Sequence, residues 1–188
     1  HLEALGYRMG EEGVCRVALN LDYALEWCED RILEEQGLLD TREETLESLL
    51  SGTFPEPRLV PLLLKCLERV EIPRKQAVFH QGDPSDAMYF LESGKVHVEL
   101  TLPGGKVLRL KKMGPGTVFG EMGLYMSAPR SATVLATEKC VVHRLSVERF
   151  QMVQLKAPQL AAAVNRCIVA LLAERVAEEN AKTRASQA

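Results

Sequence analysis

The chain has little of what usually betrays a chemistry at first reading: four histidines, five cysteines, one tryptophan and 5% aromatic residues among 188. The cysteines Cys15, Cys28, Cys66, Cys140 and Cys167 are odd in number and scattered without paired spacings. That excludes a disulfide framework and reads as five thiols in a reducing compartment. His80, His97 and His143 have no metal company, and although Cys140 and His143 are three apart, no second ligand pair completes a zinc site. Long apolar runs are missing too. Leu59 to Leu64 and Ile168 to Ala173 fall far short of the ~20 residues that span a bilayer, so nothing here inserts into a membrane. With a net charge of -3 there is no global positive field to hold a nucleic acid, and a phosphate-bearing ligand would need a local cation. The start at His1, without a methionine, a basic segment or a cleavage site, reads as a piece of something longer.

What is present places the chain among globular proteins. Apolar residues make up 46% and charged residues 26%, enough for a packed core, and the length suits one domain with a helical appendage better than two full domains. Val14 to Leu19 predicts a short strand. Leu21, Leu25, Cys28 and Ile32 then recur at helical spacing up to Gly37, with Trp27 as an anchor. A second helix is predicted over Thr41 to Leu50. A third apolar stripe runs through Leu59, Leu62, Leu63, Cys66, Leu67 and Val70. At Ile72-Pro73 the texture changes. From Gln76 to Leu145 short runs of β-formers alternate with turn residues such as Gly82-Asp83-Pro84, Ser93-Gly94 and Pro103-Gly104-Gly105. Lys95 to Leu102 alternates strictly, with Val96, Val98, Leu100 and Leu102 facing a core and Lys95, His97, Glu99 and Thr101 facing water. Ser146 caps a helix to Leu155, and Pro158 opens a longer one whose polar tail, Glu178 to Ala188, is expected to fray.

The informative stretch is Phe119 to Thr133. Gly120 leads straight into a helix-competent segment, Glu121 to Met126, that stops before Pro129, so its first backbone N–H groups converge where an anion is favoured. Arg130 follows at a range that lets the chain fold back, and its planar guanidinium can grip two phosphate oxygens at once. Glu121 looks misplaced beside an anion. Its repulsion from a phosphate charge at ~7 Å is roughly 2 kcal/mol at an effective dielectric of ~20, against roughly 4 kcal/mol gained from Arg130 at ~4 Å. The arginine dominates, which leaves the acceptor-only carboxylate free to take a hydroxyl donor. Phosphate, hydroxyl and an apolar wall together describe a sugar phosphate carrying an apolar ring.

At these residues the sequence closely resembles the phosphate-binding cassette of the cyclic nucleotide-binding domain family, and the resemblance extends over Gln76 to Val176. It implies an α+β fold: an antiparallel, jelly-roll-like β-roll of eight strands with flanking N-terminal helices and C-terminal lid helices. It implies a cAMP or cGMP ligand, no other cofactor and no catalysis. Glu121 would read the ribose 2′-hydroxyl, Arg130 the cyclic phosphate, and backbone groups of Gly120, Met122, Ser131 and Ala132 would surround both. Gly123 stands where the family usually has alanine, a change expected to keep close packing while loosening the short helix. Ser131 leaves the choice of base open. Arg175 sits where some relatives place a lid contact, against the competing reading of an intrahelical pair with Glu178 or Glu179. The implied mechanism is a population shift in which ligand holds the last helix against the roll.

Arg16 to Asp30 also resembles the final strand and helix of a STAS domain in the sulfate permease family of anion transporters. The expected layout is therefore a STAS-like fragment at 1–36, a helical linker at 37–72 and the cyclic nucleotide-binding domain at 73–188. The chain would be the cytosolic, cytoplasmic part of a membrane protein, covalently attached to STAS and transporter domains. A lone strand and helix cannot bury their faces unaided, so they are expected to dock on the roll, on its later helices or on a second copy in a homodimer. The rival readings are a sensor fragment of a CRP-like transcription regulator, a degenerate sensor that binds nothing, and a cupin-type metal enzyme. For the last, His97 and Glu99 supply only half a site.

Overall fold

The computed structural model describes residues 44–185 together with Cys28 and Ile32. The chain divides between Arg42 and Glu43 into two units, and the architecture below belongs to the second. Cys28 and Ile32 are helical and exposed, while the rest of the expected STAS-like strand and helix lies outside the described residues.

Eight strands form two four-stranded sheets. They are β1 (Glu68–Ile72), β2 (Ala77–Phe79), β3 (Ala87–Ser93), β4 (Val96–Thr101), β5 (Val107–Met113), β6 (Val118–Phe119), β7 (Thr133–Ala136) and β8 (Cys140–Ser146). One sheet has the order β1-β8-β3-β6 and the other β2-β7-β4-β5, with every pairing antiparallel. Five α-helices accompany them within residues 44–185, two before β1, one between β6 and β7 and two after β8: α1 (Leu46–Thr53), α2 (Val60–Leu64), α3 (Glu121–Met126), α4 (Val147–Lys156) and α5 (Pro158–Ala185). The α+β expectation of a β-roll flanked by helices therefore holds.

The sequence of β3, Ala87-Met88-Tyr89-Phe90-Leu91, is apolar throughout because both of its faces are buried. Ala87, Tyr89 and Leu91 join Val96, Met113, Phe119, Val134 and Val142 inside the roll. Met88 and Phe90 face the other way, packing with Leu46, Leu50, Leu63, Phe150, Leu160, Val164 and Ile168 of the helices. The site described below opens from the roll interior, and the helical layer braces the sheet behind it.

Several expectations are corrected. The second helix starts later than predicted: the Thr45 hydroxyl accepts the Ser48 N–H at 3.3 Å, capping a helix that begins at Leu46. The stripe from Leu59 to Val70 is not one helix. A 3-10 turn at Pro57–Leu59 leads into α2, which ends at Leu64, and Val70 lies in β1, paired with Val142. The first strand thus precedes the textural change at Ile72-Pro73. In β4, His97 and Glu99 are half-buried instead of wet, since the strand is flanked by β5 and β7 and bulges at Val98/Glu99. The last helix continues through the expected frayed tail to Ala185.

Candidate functional site

A cavity of about 200 Å³ is lined by Gly120, Glu121, Met122, Gly123, Arg130, Ser131, Ala132 and Arg175, together with Phe79, Val98, Met113, Phe119, Met126 and Val134. Every site residue singled out from sequence therefore lies on one wall or another of a single pocket. Strand β6 and helix α3 supply one side, the segment before β7 a second, and α5 the Arg175 side chain.

Gly120 joins β6 to α3 with φ of 77°, the left-handed region that favours glycine. A Cβ there would also stand 2.8 Å from Arg130 Nη1, so the missing side chain makes room for the guanidinium. Arg130 is 4% exposed. Its backbone is clamped to the β2–β3 turn, donating to the Asp83 carbonyl and accepting from the Gly82 N–H, each at 2.9 Å. The side chain donates through Nη1 to the Gly120 carbonyl at 3.0 Å, and through Nη2 to the Ala87 carbonyl at 2.7 Å and to Asp86 at 3.3 Å. Its flat face lies 4.1 Å from the centroid of Phe79, which packs with Tyr89 and Phe119 as an aromatic floor.

Five N–H bonds belong to a guanidinium, and these contacts use three. The Nε–H is buried and has no hydrogen-bond partner among the described residues. Asp86, its counter-charge, is shared with Arg144 at 2.7 Å, and its side chain is 56% exposed. Burial pushes the Asp86 carboxyl up, but the hydrogen bond and charge of Arg144, with Arg130 behind them, hold it below the ordinary carboxylate range. The pocket thus presents a rigid cation with donor capacity to spare, weakly neutralised from outside. Such an arrangement is chemically suited to an anion.

Glu121 is 3% exposed, and its Oε1 accepts from Arg175 Nη1 at 2.5 Å. Arg175 Nη2 also donates to the Val118 carbonyl. The competing intrahelical pair for Arg175 is therefore not what the side chain makes. Tyr125 on α3 donates to Asn165 Oδ1 on α5 at 2.6 Å, a second link between the two helices. Burial, then the nearby Cys167 and Glu121, push the Tyr125 phenol up to about 12, so it remains a donor across the neutral range.

Gly123 needs a different account from the one sequence offered. A Cβ at this position would overlap the Cβ and Oγ of Ser85, so the room that alanine would take is filled by serine. Met113, Met122 and Met126, whose sequence reading is pocket wall or packing, line the cavity, whereas Phe79, Asp86, Val98 and Val134 have no site reading from sequence. Asp86 had one local signal, an acid placed directly before the buried run that starts at Ala87.

With this geometry in view, the family model for the cyclic nucleotide-binding domain matches residues 69–156. That segment is a cyclic nucleotide-binding domain. The chain is 34% identical over 166 residues to Glutaminase 1 of Bradyrhizobium diazoefficiens, covering 86% of this chain and 26% of that protein. It is 35% identical over 130 residues to the cyclic AMP receptor protein of Thermus thermophilus, covering 69% of this chain and 57% of that one. The crystal structure of Thermus thermophilus catabolite activator protein superposes with a TM-score of 0.60 at 34% identity, covering 72% of this chain and 61% of the other. The chain thus spans about a quarter of the glutaminase and under three-fifths of the receptor protein. Among the described residues, no helix is long and apolar enough to cross a membrane, and no three of His, Cys, Asp and Glu converge as a metal site would need.

Proposed function

We propose that this chain is the ligand-sensing module of a larger protein and binds a 3′,5′-cyclic nucleotide, cAMP or cGMP, in the cavity between α3, β7 and α5. The carrying observation is the buried Arg130, fixed by backbone carbonyls and an aromatic floor, with an Nε–H left for a phosphate oxygen. Arg130 takes the cyclic phosphate, aided by backbone groups of Gly120, Met122, Ser131 and Ala132, while Glu121 accepts from the ribose 2′-hydroxyl. Val98, Met113 and Val134 give the base an apolar wall. The cavity measures about 200 Å³. A ligand that fills it presses on Arg175, so occupancy is transmitted to α5 and from there to whatever is attached.

Titration calorimetry with cAMP, cGMP and 5′-AMP tests the reading. Saturable binding of one cyclic nucleotide and its loss in Arg130→Ala are expected. Heat that persists unchanged in Arg130→Ala would refute it.

The attached domain has two readings. The likeness of Arg16 to Asp30 to a STAS tail supports a sulfate-permease type of transporter. A specific observation supports the other: an 86% match is longer than residues 44–188, so the likeness to the glutaminase runs ahead of the sensor into the N-terminal segment. On that reading the module regulates an amide-hydrolysing enzyme in cis. Assays of glutamine hydrolysis and of anion uptake by the full gene product, with and without cyclic nucleotide, separate the two.

A further inference from the structure

The pocket holds two ion pairs, and their outer members come from different layers of the molecule. Arg130 has its carboxylate partner, Asp86, on the roll, at the start of β3. Glu121 has its cation, Arg175, on α5, 54 residues away in sequence. The phosphate end of the pocket is therefore complete without α5. The ribose end is not: a carboxylate 3% exposed needs a cation at hand, and the one it has arrives only when α5 is docked. Arg175 also holds the Val118 carbonyl at the start of β6, so its two N–H arms fix the carboxylate relative to the strand that leads into α3. A lysine, with one ammonium, cannot hold both acceptors in that fixed fork.

Building on the nucleotide reading above, we infer that Arg175 is the positioning residue for Glu121, and that the ribose 2′-hydroxyl is the part of the ligand to which α5 responds. Arg175 directs the carboxylate so that its second oxygen faces the sugar. Docking of α5 and recognition of the hydroxyl then reinforce each other, because each needs Glu121 in the same orientation. The phosphate provides affinity without engaging α5.

The test compares cAMP and cGMP with their 2′-deoxy analogues on the full 188-residue chain. In the wild type, the parent nucleotide is expected to bind on the order of tenfold or more tightly than its deoxy analogue, the usual strength of a hydrogen bond to a charged acceptor. In Arg175→Gln this ratio should fall to that of Glu121→Gln, while affinity for the deoxy analogue changes less than about threefold; Arg175→Lys should restore part of the ratio. A ratio left intact in Arg175→Gln, or an equal loss for both ligands, overturns the inference and leaves the nucleotide reading standing. Should the variants fail to fold, amide exchange of the wild type decides: residues 165–176 should slow with saturating parent nucleotide and not with the deoxy analogue, and equal slowing overturns the inference. Absence of binding by the wild type to any of the four ligands removes the nucleotide reading and this inference with it.

Discussion

Ser85 and Gly123 show how one residue's identity is set by another 38 positions away. Serine at 85 occupies the volume that a side chain at 123 would need, and its buried Oγ has no hydrogen-bond partner among the described residues. Gly123→Ala is therefore expected to destabilise the domain by about 1–3 kcal/mol through overpacking, despite the better helix propensity of alanine. Ser85→Gly in the same chain should recover most of that loss, and a double-mutant cycle by urea unfolding measures the coupling. Asp86 gives a second test at this scale. Its folded pKa is depressed, so its contribution to stability is present above the unfolded value near 4 and is lost as pH falls through the lower folded one. Asp86→Asn should accordingly be less stable than wild type at pH 7, with the deficit shrinking by pH 3. Its exposure makes the difference modest. Of the site, Gly120, Glu121 and Arg130 were legible because their types are chemically forced within fifteen consecutive residues. Arg175 is marked as a lid contact by resemblance alone; that it pairs with Glu121 54 residues away, and Asp86 with Arg130 44 residues away, is named by nothing local.

At the scale of elements, the roll was readable where turn residues punctuate it and unreadable where pairing decides. Glu68–Ile72 continues an apolar stripe at helical spacing, yet it is a strand because β8 offers it five antiparallel partners, from Arg144 opposite Glu68 to Cys140 opposite Ile72. Local periodicity cannot report a partner strand some 70 residues downstream. The same holds for α3 and α5, whose docking shows in neither helix's own sequence. Their second link is the Tyr125 hydrogen bond to Asn165. With the folded phenol raised to about 12 from an ordinary value of 10, the stability it confers is complete below pH 10 and is lost as pH rises through 12. Tyr125→Phe should cost about 0.5–1.5 kcal/mol at neutral pH and flatten the alkaline limb of the stability profile. Chemical unfolding at pH 7 and pH 11 checks both. A deficit that widens at pH 11 would show that the hydroxyl is not the titrating link.

At the scale of the whole second unit, the distribution of buried groups fits a domain that the proposed ligand would stabilise without rearranging the roll. The roll core and the helical layer share β3, so the sheet cannot rearrange without breaking both. By contrast, the first half of α5 is packed into the helical layer, while farther along the helix Arg175 reaches the pocket and groups such as Val176 are exposed. On the proposed reading, a ligand that binds the folded unit and not the unfolded chain raises the stability of the whole unit by mass action. A cyclic nucleotide at a hundred times its Kd should add about 2.7 kcal/mol, which for a domain of this size moves the thermal midpoint up by roughly 5–10 °C. The shift should grow with the logarithm of ligand concentration and vanish in Arg130→Ala, and scanning calorimetry over a thousandfold range of cAMP and of cGMP reads it directly. A midpoint indifferent to both ligands at millimolar concentration would mean that Arg130 guards an empty pocket, and would leave the fold as a scaffold for something other than nucleotide sensing.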